Sequence, residues 1–257
     1  MSEFVVAGGH RLEFTALTGT RAGLPTLVFL HEGLGSISLW RDFPDRLAAA
    51  TGAPAVIYSR NGYGKSDRLI GDRDVDYMHV EALEALPDLR RQLGLNEVVL
   101  VGHSDGASIA LIHAGDGRWP VRGLILEAPH VFVEDITVTS IAAAKRMFET
   151  SDMGRRLGRH HGDPDATFWG WNKIWLDPRF RAWNIEAVLR RVRCPVLAIQ
   201  GANDEYGTLA QLDAIARQIG GPFERRVLAD CGHAPHRDQE AATVAAMTEW
   251  WHSKINK

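Results

Sequence analysis

One stretch of the sequence restricts the fold more than any other: VVLVGHSDGASIAL, residues 98–111. Its first four residues are β-branched or leucine and read as a strand covered on both faces, while ASIAL reads as the start of an apolar helix. Between them lies Gly102-His103-Ser104-Asp105-Gly106, a Gly-x-Ser-x-Gly pattern. A serine on so sharp a strand-to-helix turn adopts a strained backbone. The positions two before and two after it pass too close to neighbouring chain to carry side chains. The turn lifts the hydroxyl above the sheet, to a helix N-terminus whose dipole and free N–H groups favour a developing negative charge. The five-residue pattern alone arises by chance, and the alternative is a glycine-rich turn capped by Ser104. Its setting between VVLV and an apolar helix gives it weight.

Other short apolar runs repeat the strand signal at 26–31 (TLVFLH), 55–59 (AVIYS), 121–127 (VRGLILE), 195–200 (PVLAIQ) and 224–228. Segments of helical period lie between them: 40–51, 80–93 with Pro87 starting or kinking it, 104–115, 209–219 and 234–255. Strand–helix alternation predicts an α/β class protein with a mostly parallel, doubly wound sheet. Residues 3–7 and 11–17 flank Gly8-Gly9 and read as an antiparallel hairpin at the sheet edge. Residues 130–183 break the alternation. They hold no core strand, are rich in Arg and Trp, and are helical at 140–150. Fifty residues is too long for a plain connection. The expected organisation is therefore a core of 1–129 and 184–257 with a helical cap inserted at 130–183.

The chain has 257 residues, enough for one core domain plus an insertion. Its 29 basic residues against 32 acidic ones give a net charge of −3, with no basic patch, so nucleic acid is not an expected partner. No apolar run approaches a membrane span, and the N-terminal sequence lacks the charge and apolar pattern of a signal peptide. Two cysteines, Cys194 and Cys231, do not make a disulfide framework. On parallel strands they would lie about 20 Å apart at roughly 3.3 Å per residue, so both are expected free. A cytoplasmic protein acting on a small molecule without cofactor or metal is the expectation, with a homodimer left open.

A serine hydroxyl needs a neutral base beside it, which favours histidine. Among eleven histidines, His233 lies in a loop after the last strand-like run and before a helix opened by Pro235. That is the sheet edge that carries Ser104. His236 falls in the first helical turn and is expected at the surface. His103 is expected to point away from the reacting centre. His160 and His161, near Asp163 and Asp165, lack diagnostic metal spacing. The base needs an acid to fix its tautomer. Asp204, in the loop after 195–200, is preferred over its neighbour Glu205 and over Glu127, which ends the strand before the cap. The chain order Ser104, Asp204, His233 suits groups mounted on successive loops of one sheet edge. One oxyanion donor is expected to be the N–H of Asp105. The second should come from the glycine-rich loop after 26–30.

Together the 31–36 loop (HEGLGS), the 59–66 turn (SRNGYGKS), the 102–106 elbow and the loops of Asp204 and His233 resemble the α/β-hydrolase superfamily, and within it the capped bacterial serine hydrolases. The resemblance spans nearly the whole chain and implies the α/β-hydrolase fold. In the family register Gly33 supplies the second N–H, and the position before it is usually glycine, whereas here it is Glu32. The serine excludes the branches that use an aspartate at the elbow. The resemblance implies cleavage of an ester, thioester, amide or carbon–carbon bond, with a small ester preferred. An acyltransferase using the same triad and a non-catalytic ligand-binding protein are the rival classes. Candidate pocket residues are Glu32, Leu34, His130, Trp169 and Trp175. Cap arginines such as Arg146, Arg155, Arg156 and Arg159 are candidates for a substrate carboxylate, with solvated surface as the default reading.

Overall fold

Alternate residues of the central strands enter opposite apolar layers. Val28 and Leu30 of one strand, with Val98 and Leu100 of the next, face one core; Leu27, Phe29, Val99 and Val101 face the other. Strands buried on both faces need helices on both sides, and the sheet has them. The computed structural model describes residues 2–256. The strands are β1 (Glu3–Ala7), β2 (His10–Leu17), β3 (Thr26–Leu30), β4 (Ala55–Tyr58), β5 (Val98–His103), β6 (Gly123–Glu127), β7 (Val196–Gly201) and β8 (Phe223–Leu228). They form one eight-stranded sheet in the order β1-β2-β4-β3-β5-β6-β7-β8. The β1–β2 hairpin and its pairing with β4 are antiparallel, and every other pairing is parallel. This is the mostly parallel, helix-covered sheet that the strand pattern predicts.

The helices are α1 (Phe43–Thr51), α2 (Tyr77–Val80), α3 (Leu86–Gln92), α4 (Asp105–Asp116), α5 (Asp135–Thr150), α6 (Met153–Leu157), α7 (Pro164–Leu176), α8 (Glu186–Leu189), α9 (Ala210–Gln218), α10 (Pro235–Asp238) and α11 (Glu240–Lys254). Helices α1 and α11 close one face with Trp40, Phe43, Trp250 and Trp251. Helices α2, α3, α4, α8 and α9 close the other, around Leu86, Leu89, Ile109 and Ile215. Three helical segments differ from the periodicity. The 80–93 segment is α2, a π turn at Glu81–Ala85, and α3, in which Pro87 is the second residue and directly follows the π turn. Residues 37–39 form a short 3₁₀ turn, so α1 starts at Phe43 rather than at 40. The 234–255 segment breaks at Gln239 into α10 and α11.

Between β6 and β7 the chain leaves the sheet and lays down α5, α6 and α7, then a 3₁₀ turn at Pro178–Ala182 and α8. The ends of this excursion meet. Phe132 bridges Asn184, and the Ile185 N–H donates to the Val131 carbonyl at 2.8 Å. Among the described residues no helix is long and apolar enough to cross a membrane, and Cys194 and Cys231 are free thiols.

Candidate active site

Strand β5 ends and α4 begins across Ser104, whose backbone sits at φ +53°, ψ −116°. A non-glycine residue rarely adopts this region, and the fold imposes it here by tight packing on both sides. A methyl group at Gly106 would stand 2.0 Å from the Leu30 carbonyl oxygen, and one at Gly102 would stand 2.5 Å from the Gly106 carbonyl oxygen. Both glycines are therefore obligatory, and α4 seats directly against the end of β3. The turn is anchored by the Ser104 N–H, which donates to the Glu127 carbonyl at 2.9 Å.

The loops after β7 and β8 meet at the same edge. His233 Nδ1 lies 2.8 Å from Asp204 Oδ1. That oxygen also accepts the N–H groups of Tyr206 at 2.8 Å and Gly207 at 3.2 Å, and Gln200 Nε2 donates to Oδ2 at 3.2 Å. Burial alone would raise the Asp204 carboxyl, but the hydrogen bond and charge of His233, with the Tyr206 N–H, outweigh it and hold it lowered. An ionised Asp204 makes Nδ1 the protonated nitrogen of His233 and leaves Nε2 as the basic one. Neither rival glutamate contacts the imidazole of His233. Glu205 accepts the backbone N–H of His233 at 3.2 Å. Glu127 accepts both the backbone N–H and Nδ1–H of His236 at 2.9 Å.

Ser104 and His233 line one cavity of about 340 Å³, together with Glu32, Gly33, Leu34, Asp105, His130 and Trp175. The Asp105 N–H occupies the first turn of α4, where no intrahelical acceptor exists. Its side chain turns inward, accepting from the Tyr77 hydroxyl at 2.7 Å and standing 3.8 Å from Arg60 Nη2. The buried Arg60 also grips the loop bearing Gly33. Its Nη2 donates to the carbonyls of Glu32 at 2.9 Å and His31 at 3.3 Å, while its backbone N–H donates to His31 Nε2. His31 Nδ1–H in turn donates to the Glu32 carbonyl at 2.7 Å. Burial and the Arg60 charge push the His31 pKa well down, so this ring is a neutral brace. On the outer side Gly33 is overlaid by Trp171, whose Nε1 would be 2.1 Å from a methyl group there.

Several positions differ from expectation. Trp169 does not reach this cavity: it packs on Phe148 and Phe168 and borders a separate surface groove. Trp171 takes its place, together with Ile141, Tyr206 and Arg237. Helical spacing carried that signal. Trp171 and Trp175 stand four residues apart on one face of α7, and Trp169 is two residues out of phase. None of Arg146, Arg155, Arg156 or Arg159 lines the cavity, and Arg155 and Arg156 pair with Asp152 at the surface. His236 is 5% exposed rather than superficial, because Glu127 draws it inward. His103 also lines the cavity rather than pointing away from it. His160 and His161 are engaged in hydrogen bonds to Ser38, Gly64 and Leu34. Among the described residues no cluster of three or more His, Cys, Asp or Glu is placed to hold a metal ion.

Residues 27–246 match the sequence profile of the alpha/beta hydrolase family. The chain is similar to a proline iminopeptidase of Levilactobacillus brevis, at 24% identity over 96% of this chain and 95% of that one. In structure it resembles a thermophilic esterase from Thermogutta terrifontis (TM-score 0.75, 21% identity, 99% of each chain). It also resembles the enol-lactonase from Burkholderia xenovorans (TM-score 0.74, 16% identity, 97% of this chain and 100% of that one). At these identities the structural likeness establishes the fold alone.

Proposed function

The chain belongs to the alpha/beta hydrolase family, and on that premise we propose that it is a cofactor-free serine hydrolase cleaving small esters by way of an acyl-enzyme. The observation that carries this reading is the 2.8 Å contact between His233 and Asp204, with Ser104 and His233 lining one cavity. His233 Nε2 takes the Ser104 proton as Oγ attacks the carbonyl carbon. The oxyanion develops toward the N–H groups of Gly33 and Asp105. The imidazolium, steadied by Asp204, returns the proton to the leaving alcohol, and a water molecule then releases the acid by the reverse sequence. Residues 130–183 act as the cap over the 1–129 and 184–257 core, and Trp171, Trp175 and Ile141 give an apolar wall suited to an aromatic or short aliphatic acyl part.

The iminopeptidase relatives raise amide hydrolysis at a free amino terminus as a second reading. Four carboxylates line the cavity, Glu32, Asp105, Glu205 and Asp238, and each already faces a partner: His103, the Tyr77 hydroxyl, the His233 N–H and the Gly232 N–H. An ester therefore fits this cavity better than a cationic amine.

The experiment is a panel of short-chain and aromatic nitrophenyl esters, a proline anilide and a vinylogous diketone, assayed with the wild type and Ser104→Ala. Ester turnover should exceed the others, and Ser104→Ala should lower it by roughly 10³-fold or more. Equal rates in the two proteins would overturn the mechanism, and a faster anilide or diketone would reassign the substrate class. Added alcohol or thiol acceptors separate an acyltransferase by its products.

A further inference from the structure

Glu32, where the family usually carries glycine, has a partner: His103, the residue before the serine. Taking the acyl-transfer reading as its basis, we propose that the half-buried Glu32 and the buried His103 form an ion pair that fastens the oxyanion loop to the histidine loop and positions the two against Ser104.

The hydrogen positions follow from the neighbours. His103 Nε2 lies 2.8 Å from the backbone carbonyl of His233, an acceptor, so Nε2 carries a hydrogen. His103 Nδ1 faces the Glu32 Oε2 carboxylate oxygen at 3.5 Å, an ion-pair distance rather than a formed hydrogen bond, and has no hydrogen-bond partner among the described residues. A neutral ring would turn the bare lone pair of Nδ1 toward a carboxylate oxygen, whereas the imidazolium places a positive charge there. The site is built to admit the carboxylate. A methyl group at Gly35 would stand 2.3 Å from Glu32 Oε2, so Gly35 leaves the space that the Glu32 side chain fills. Glu32, Gly35 and His103 thus form one device, spanning the 31–36 loop and the end of β5.

His103 is 2% exposed and packs among aromatic and imidazole rings. The His233 ring lies 5.1 Å away, centroid to centroid, the His236 ring 5.0 Å and Trp40 6.2 Å. Glu127, at the end of β6, adds a second negative charge, already hydrogen-bonded to His236. Burial disfavours the charged ring, but the Glu32 carboxylate facing it, then Glu127 and the His233 carbonyl, outweigh it and lift its pKa to about 9. Partial burial would raise the Glu32 carboxyl, but the same contact with His103 holds it well below the usual carboxylate range. When His103 loses its Nδ1 proton, Glu32 stands uncompensated beside Gly33, where the oxyanion forms. The pair therefore acts on the rate through geometry and field while touching no reacting atom.

The test begins on the wild type, by ¹⁵N NMR of the histidine rings from pH 5 to 10. Both His103 nitrogens should be protonated at pH 7.5, with a midpoint near 9. Glu32→Gln should bring the midpoint below about 7, near the ordinary histidine value. In the ester assay it should lower kcat about tenfold with little change in KM, and move the alkaline limb of the rate profile down with the midpoint. Gly35→Ala, which crowds the carboxylate without removing it, should shift both in the same direction. A wild-type His103 with an unprotonated Nδ1 at pH 7.5 would overturn the proposal. So would a Glu32→Gln enzyme with unchanged kcat and pH profile. The ring measurement needs no turnover, so its outcome is separate from that of the Ser104→Ala assay.

Discussion

Ser104 holds φ +53° without the freedom of glycine, and that conformation costs about 1–3 kcal/mol. The strain is tolerated because Gly102 and Gly106 let α4 press against β3, and because the Ser104 N–H is held by the Glu127 carbonyl. Ser104→Ala keeps the strain and Ser104→Gly releases it. Denaturant unfolding should therefore find the glycine variant more stable than the alanine variant by roughly 1 kcal/mol, both being inactive. Equal stability would show that no strain is stored there. Asp204 fixes the tautomer of His233, so Asp204→Asn should keep the fold and lower kcat by about 10³-fold, less than loss of the serine. An undiminished rate would return the role to Glu205 or Glu127. The juxtaposition of Ser104, Asp204 and His233 was legible in the sequence because each stands at a strand end, and strand ends of a parallel sheet share an edge. The inward turn of His236 was not, since its cause is Glu127, a residue 109 positions away. A lone histidine in a helical first turn carries no sign of such a partner.

At the scale of elements, the excursion between β6 and β7 is joined to the rest of the fold by hydrogen bonds that run from the buried Gln211 to the half-buried Ser140. Gln211 of α9 is fully buried. Its Oε1 accepts the Val131 N–H at 2.7 Å, and its Nε2 donates to the Phe132 carbonyl and to Glu134. Helix α5 is tied to the acid loop by Thr137 and Ser140, which donate to the carbonyls of Tyr206 and Glu205. Gln211→Ala strands the buried N–H of Val131, at about 1–3 kcal/mol for a group left without water, and frees the half-buried carbonyl of Phe132. Thermal unfolding should show a drop in Tm of several degrees, and the ester assay a higher KM, because α5 and α7 supply Ile141, Trp171 and Trp175 to the cavity. An unchanged KM would separate the excursion from substrate binding. Helix existence was readable from apolar spacing, whereas the interruptions were not. The π turn at Glu81–Ala85 and the break at Gln239 leave apolar residues in phase on either side, so periodicity runs through both.

Over the whole molecule, buried histidines of opposite character bound the stability from both sides of neutrality. Burial holds His130 down at about 3 and His113 at about 4, the latter locked neutral by Ala82 and Arg90, and His31 also lies well below 6.5. Between those values and the unfolded 6.5 the unfolded chain binds more protons than the native one, so stability climbs with pH and is complete above 6.5. His103 works in the other sense. Its pKa is raised from 6.5 to about 9, so its stabilisation is complete below 6.5 and is lost as pH rises through 9. At about 1.4 kcal/mol per unit this amounts to ~3 kcal/mol. Unfolding free energies measured in denaturant should thus peak near pH 6.5 and fall on both sides. Glu32→Gln removes the cause of the alkaline loss, so its stability should start lower at pH 6.5 and stay nearly level to pH 9. Since the cysteines, tyrosines and lysines titrate alike in both proteins, the difference between the two curves isolates the pair. Parallel curves across that window would mean that Glu32 does not hold the proton on His103.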